Sequence, residues 1–145
     1  MQAYVSSKTL SEKELLKYND SSEARPFDVV VLLCGLVGGD TLLPYTPGSL
    51  QNMLSPLTGA ELQHNGLMFL QSLLGSLPLV HVDDVCEAHV FCMERLCDIA
   101  GGRYLCAVAY PNMQDIVEHY AAKHPMLKLM IKEYVLALTE YYGFR

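Results

Sequence analysis

The sequence predicts an α/β fold, and three observations carry that prediction. After Asp28, the run Val29-Val30-Val31-Leu32-Leu33-Cys34 is continuously apolar and rich in β-branched residues. Such a run suits a parallel strand covered on both faces. Glycines follow at once, at positions 35, 38 and 39, and a loop at the carboxyl end of a parallel strand is where α/β sheets bind ligands. Segments of helical periodicity lie before and after this strand, which is the alternation expected of an α/β protein.

The elements follow in order. Tyr4 to Asn19 reads as a helix: Val5, Leu10, Leu15 and Leu16 recur at roughly helical spacing, and Glu12, Lys13, Glu14 and Lys17 supply a wet face. Asn19-Asp20-Ser21-Ser22 ends it, and Arg25-Pro26 opens the strand segment. Pro44, Pro47 and Gly48 make 41–55 a loop with a short helix over 49–54. Glu61 to Leu74 reads as a helix, and Pro78 to Val82 as a short strand. Asp83 is expected to cap the next helix, with Asp84 and Glu87 at the favourable end of its dipole, and that helix is expected to reach about Leu96. Gly101-Gly102 marks a turn and Arg103 to Val108 a strand. Asn112 is placed to cap a helix over 113–122, and after Pro125 a last helix is expected over 126–142. Two or three strands leave open edges unless more chain completes the sheet.

The bulk numbers exclude several classes. The 145 residues match the length of one domain, and 51% are hydrophobic, enough for a core. The net charge of -6 without a basic block argues against nucleic acid. No uninterrupted apolar stretch is long enough for a bilayer, since Gln71, Gly75 and Pro78 break the best one. Met1-Gln2-Ala3-Tyr4 does not read as a signal peptide. Five scattered cysteines without a C-x-x-C fit reduced thiols in a cytoplasmic protein better than a disulfide framework or a zinc site.

The chemistry is concentrated at the first turn. Tyr4 and Lys8 stand four residues apart, on one face of a helix. An ammonium near a phenol stabilises the phenolate, which makes proton exchange near neutral pH feasible. A tyrosine so placed can protonate a carbonyl oxygen as hydride reaches the carbon. The spacing alone also suits an ordinary surface helix.

The surroundings are more specific. Tyr4-Val-Ser-Ser-Lys8-Thr-Leu-Ser-Glu-Lys13 closely resembles the catalytic helix of the extended short-chain dehydrogenase/reductases, and most of all the plant dihydroflavonol reductase and anthocyanidin reductase group. Three later stretches agree in order. Residues 29–39 resemble the strand and glycine-bearing loop beside the nicotinamide. Residues 79–89, with Val80-His81-Val82-Asp83-Asp84 and Ala88-His89, resemble the family's V-H-V-D-D-x-x-x-A-H. Gly102-Arg-Tyr-Leu-Cys106 resembles its G-R-Y-x-C strand.

This resemblance implies roles. Tyr4 would be the catalytic acid/base. Lys8 would favour its ionised form and hydrogen-bond the nicotinamide ribose. Cys34, Gly35 and Leu36 would pass close to the nicotinamide of NADP(H). The substrate would be a small aromatic molecule, a flavonoid-like or phenylpropanoid-like carbonyl compound; no metal is implied. The family commonly carries Pro-Thr where Cys34-Gly35 stand and proline where Asp40 stands, and an acidic residue near cofactor phosphates would repel them.

The same family builds its cofactor site from an N-terminal Rossmann half with a G-x-x-G-x-x-G turn, and no such motif occurs in these residues. The expectation is a C-terminal portion of a Rossmann-like domain with part of the small substrate domain, residues 1–145 forming one incomplete reductase domain that is inactive as it stands. The alternative is a non-catalytic fragment that associates with itself or with another chain through its exposed sheet.

The remaining candidates have plainer accounts. His81, Asp83 and Asp84 fit a strand end followed by a capped helix better than a metal site, and His64, His119 and His124 have no ligand partners at metal spacing. His89 reads as a packed or hydrogen-bonded helix residue. Leu67-Met68-Phe69-Leu70 suits a core, or an aromatic pocket with polar contacts from Gln63, His64 and Asn65.

Overall fold

The structure, a computed structural model, describes residues 2–20, 27–95 and 98–126. In chain order its elements are α1 (Gln2–Leu16), β1 (Val30–Cys34), β2 (Leu36–Gly38), α2 (Gly48–Met53), α3 (Ser55–Thr58), α4 (Glu61–Leu74), β3 (Leu79–His81), α5 (Val82–Glu94), β4 (Gly102–Cys106) and α6 (Met113–Lys123). They form two compact units. One joins Met1–Cys34 to Asp83–Cys106, the other joins Gly35–Val82 to Ala107–Arg145.

In the first unit β1 and β4 run parallel, Val30 opposite Gly102 and Cys34 opposite Cys106. A side chain sets the start of that pairing. Asn19, in the 3-10 turn that follows α1, donates from Nδ2 to the Val29 carbonyl at 2.8 Å and accepts the Val29 N–H on Oδ1 at 2.8 Å. The same carbonyl accepts the Gly102 N–H at 2.9 Å. Gly101 makes room for the amide, because a Cβ there would stand 2.7 Å from Asn19 Nδ2. The expected wet face of α1 is partly reversed. Glu12 is half-buried and ion-paired with Arg103 of β4, while Val5, Leu10 and Leu15 are exposed. A charge turns inward here because a guanidinium meets it, which offsets its desolvation.

The parallel geometry read for β1 holds, but covering on both faces does not. Val30 to Leu33 are half-buried and Cys34 is exposed. Among the described residues each sheet has only two strands, and β1 and β4 each keep one unpaired edge.

The second unit holds the buried core. Leu67 of α4, Leu77, and Met113 and Ile116 of α6 pack together, with Leu36, Met68, Leu70, Leu79 and Tyr120 against them. Helix α4 has the bounds its periodicity predicts, and Gly75 closes it in the left-handed conformation. At α6, Asn112 Oδ1 accepts the Asp115 N–H at 2.9 Å and Asp115 Oδ2 accepts the Asn112 N–H at 2.8 Å. This capping box stabilises the helix by about 1 kcal/mol. Gln71 Oε1 accepts the Met113 N–H at 2.6 Å and ties α4 to the start of α6.

The glycine-bearing segment after β1 is not a loop throughout. Leu36 to Gly38 form β2, parallel to β3, Leu36 opposite Leu79 and Gly38 opposite His81. The Leu36 N–H donates to the Pro78 carbonyl at 2.8 Å. That contact requires glycine at 35, since a Cβ there would lie 2.5 Å from Pro78 O. On its other side β3 meets 107–111: Leu79 N–H donates to Ala109 O and Val108 N–H to Leu79 O, both at 2.8 Å.

Several boundaries differ from expectation. The short α3 follows α2 directly, with Pro56 in its first turn and Gly59 left-handed at its end. Helix α5 starts at Val82, so Asp83 lies inside its first turn rather than at the cap. The strand expected to reach Val108 ends at Cys106. The start expected at Arg25-Pro26, the end of the fourth helix at Leu96, and the last helix beyond Met126 lie outside the described residues.

His64 is buried in α4 at 4% exposure, and neither ring nitrogen has a hydrogen-bond partner among the described residues. Burial pushes its pKa below the ordinary 6.5. The unfolded chain therefore takes up this proton at higher pH than the folded one. Stability from this site is intact above about pH 6.5 and falls as the pH drops below it. Urea titrations at about pH 7.5 and about pH 5.5 should show a larger acid loss in the native chain than in His64→Phe; equal losses would clear His64 of the effect.

Gly35→Ala forces the Pro78 carbonyl away from β2. It should cost on the order of 1–3 kcal/mol. Hydrogen exchange at the Leu36 amide should quicken well before exchange at Leu67. An unchanged Leu36 amide would show that the strand start does not depend on the missing side chain.

Candidate functional site

The site residues the sequence points to divide between the two units. Tyr4, Lys8 and Cys34 belong to the first, Gly35 and Leu36 to the second. Tyr4 and Lys8 lie one turn apart near the start of α1, both exposed, Tyr4 at 67%. The Lys8 ammonium rests over the Tyr4 ring, 5.8 Å from its centroid, near the outer limit of a cation–π contact. The neighbouring hydroxyls bond the helix itself: Ser7 Oγ donates to the Tyr4 carbonyl and Ser11 Oγ to the Ser7 carbonyl, each at 2.8 Å. Both Tyr4 and Lys8 thus remain open to a ligand from solvent.

Cys34 ends β1. Partial burial, and then the Cys106 sulfur beside it, push its thiol above the ordinary range. The adjoining segment has a different character. The space at Gly35 is filled by the Pro78 carbonyl, so this glycine admits a close approach of the chain's own backbone. Leu36 packs against the buried core. Gly39 has φ 107°, and a Cβ on it would stand 2.5 Å from His81 Nε2, so the His81 ring lies against the glycine backbone. That contact joins two stretches that the family pattern singles out. Asp40 follows, exposed.

The other candidates settle as packing. Leu67 is core, Met68 and Leu70 pack on it, and Phe69 faces outward. His89 Nδ1 lies 2.7 Å from the Val85 carbonyl one turn back. The first unit also has an open groove of about 300 Å³ lined by Asp28, Val30, Leu32, His89, Cys92 and Met93, apart from Tyr4 and Lys8. Among the described residues no three His, Cys, Asp or Glu side chains could hold a metal, and no helix is long and apolar enough to cross a membrane.

Sequence reasoning missed Asn19, Arg103 and Pro78. Asn19 looks like a helix stop, and nothing in its neighbourhood says that it reaches Val29. For Pro78 a signal existed: a single glycine directly after an apolar strand marks close backbone approach.

The residues present fit one end of a nicotinamide dinucleotide. Lys8 offers three donors and no acceptor, which suits ribose hydroxyls. The pyrophosphate end has no counterpart, because the 145 residues contain no G-x-x-G-x-x-G turn.

No family model matches the chain. Individual proteins do. The chain is 38% identical over 130 residues to a Ginkgo biloba protein named for anthocyanidin reductase activity, covering 90% of this chain and 36% of that one. It is 33% identical over 126 residues to a (2S)-flavan-3-ol-forming anthocyanidin reductase of Vitis vinifera, covering 87% of this chain and 36% of that one. The crystal structure of vestitone reductase from alfalfa superposes with a TM-score of 0.71 at 27% identity, over 90% of this chain and 39% of that one. The chain therefore spans little more than a third of the length of these relatives. Sequence and fold agree that the chain is similar to the plant anthocyanidin, vestitone and dihydroflavonol reductases, and a C-terminal portion of such a reductase fits both.

Proposed function

We propose that this chain carries the proton-transfer and substrate-side part of an NADPH-dependent reductase acting on a flavonoid-like or phenylpropanoid-like carbonyl. The observation that carries the reading is the exposed Tyr4–Lys8 pair on one face of α1, within a stretch matched by reductases over about 90% of the chain. Tyr4 donates its phenolic proton to the substrate oxygen. Lys8, one turn away, is the counter-charge for the phenolate that remains and the donor for a ribose hydroxyl. Cys34 at the end of β1, Gly35 after it and Leu36 at the start of β2 face the nicotinamide side in this reading. NADPH, when bound, supplies the hydride that reaches the carbonyl carbon. Residues 1–145 form one part of a reductase domain and, lacking the pyrophosphate turn, do not turn over by themselves.

Titration of the purified 145-residue chain into NADPH should leave the nucleotide fluorescence unchanged. In a protein where a half bearing G-x-x-G-x-x-G precedes this chain, Tyr4→Phe should lower kcat by about 10²–10⁴-fold while NADPH affinity holds. A Tyr4→Phe enzyme with unchanged kcat would remove Tyr4 from proton transfer. Saturable NADPH binding by the 145 residues alone would overturn the incomplete-site reading.

We propose a second property, which one observation favours. Leu105 of β4 is 63% exposed and β1 keeps an unpaired edge among the described residues, which invites association through the sheet. Light scattering during gel filtration should show species larger than 16.1 kDa. A monomer with a cooperative, high melting transition would contradict it.

A further inference from the structure

Two thiols meet at the carboxyl ends of the parallel pair in the first unit. Cys34 is the last residue of β1, Cys106 is the last of β4, and they are register partners. Register partners in a parallel sheet project to the same face, and neighbouring strands lie about 4.8 Å apart. That separation falls within the roughly 4.4–6.8 Å between Cα atoms that a disulfide spans. The two sulfurs are close enough for Cys106 to act electrostatically on the Cys34 thiol, which also lies 3.9 Å from the Leu32 carbonyl. Cys34 is exposed, so a reagent from solvent can reach it, and Cys106 is half-buried behind it. The remaining described cysteines, Cys86 and Cys92, are on α5 and are not part of this strand pair.

We propose that Cys34 and Cys106 are a dithiol oxidation site, closed to a cross-strand disulfide by a low-molecular-weight organic disulfide of the glutathione type. The Cys34 thiolate attacks one sulfur of the oxidant, forming a mixed disulfide and releasing one thiolate. The Cys106 thiolate then attacks the Cys34 sulfur, forming the protein disulfide and releasing the second. Two protein thiols lose two protons and two electrons, and one organic disulfide becomes two thiols. The raised Cys34 thiol makes the first step slow at neutral pH, so the pair equilibrates with the thiol pool rather than acting as a rapid peroxide sensor. Once closed, the bond fixes the ends of β1 and β4 to each other. The proposal does not depend on any nucleotide being bound.

The test uses the full chain in buffers of graded reduced-to-oxidised glutathione ratio, quenched with acid and mapped by peptide mass spectrometry without reduction. The expected result is a 34–106 linkage at least about tenfold above any other pair, because the folded strands hold the two sulfurs at high effective concentration. In urea that excess should disappear. Cys34→Ser and Cys106→Ser should each abolish the linkage, and Cys106→Ser should stop at a glutathione adduct on Cys34. The proposal is overturned if native chain accumulates the mixed disulfide without closure, or if the pairing is the same in buffer and in urea. A chain with Cys86, Cys92 and Cys97 all changed to Ala gives a second reading: it should close to the same extent as the native chain, and failure to close would equally overturn the proposal.

Discussion

No side chain fits at residue 35. The extended run from Val30 to Gly38 pairs with β4 before that point and with β3 after it, and the change of partner needs the Pro78 carbonyl to come within van der Waals range of the backbone. A Cβ would lie 2.5 Å from that oxygen. Proline at 78 suits the other side of the contact, since it has no N–H to leave unpaired and only its carbonyl is used. With the carbonyl taken by Leu36, the β2–β3 register follows. Leu36 and Leu79 then cover the core formed by Leu67, Leu77, Met113 and Ile116.

Much of this was legible in the sequence, and the parts that were not share a cause. The helix over 61–74, the capped helix after Asn112 and the parallel character of the apolar strand follow from periodicity and local hydrogen-bonding chemistry. Features that depend on distant partners escaped. Glu12 reads as part of the wet face because a carboxylate on a helix is ordinarily solvated, and its partner Arg103 on β4 accounts for its burial. Asn19 reads as a helix stop, while its function is to hold Val29 at the point where β1 begins to pair. The strand's continuous apolar run promised two covered faces, yet its residues are half-buried. That pattern records the environment the run is suited to, not the one these described residues supply.

The contrast between the units bears on function. The core lies in the second unit, whereas the residues with acid/base potential lie on an exposed helix of the first. Helix α1 is tied beyond its C-terminal end through Asn19 and along its length through Glu12 with Arg103, and its apolar Val5, Leu10 and Leu15 are exposed. A helix that positions a reacting group needs its own orientation fixed by packing. The relatives are nearly three times as long as the matched stretch.

The Tyr4–Lys8 geometry makes the same point at atomic scale. Spacing of four residues brings the two side chains to one face, and no more than that. The ammonium settles over the ring, 5.8 Å from its centroid, because on an exposed helix the ring face is the nearest weakly attractive partner and water solvates the rest. Proton transfer needs the ammonium directed at the oxygen end and a ligand hydroxyl to hold it there. The helix fixes which residues can cooperate, and a bound dinucleotide would fix how. That is why a motif of two residues acquires chemical meaning only with the surrounding stretches that resemble the same family.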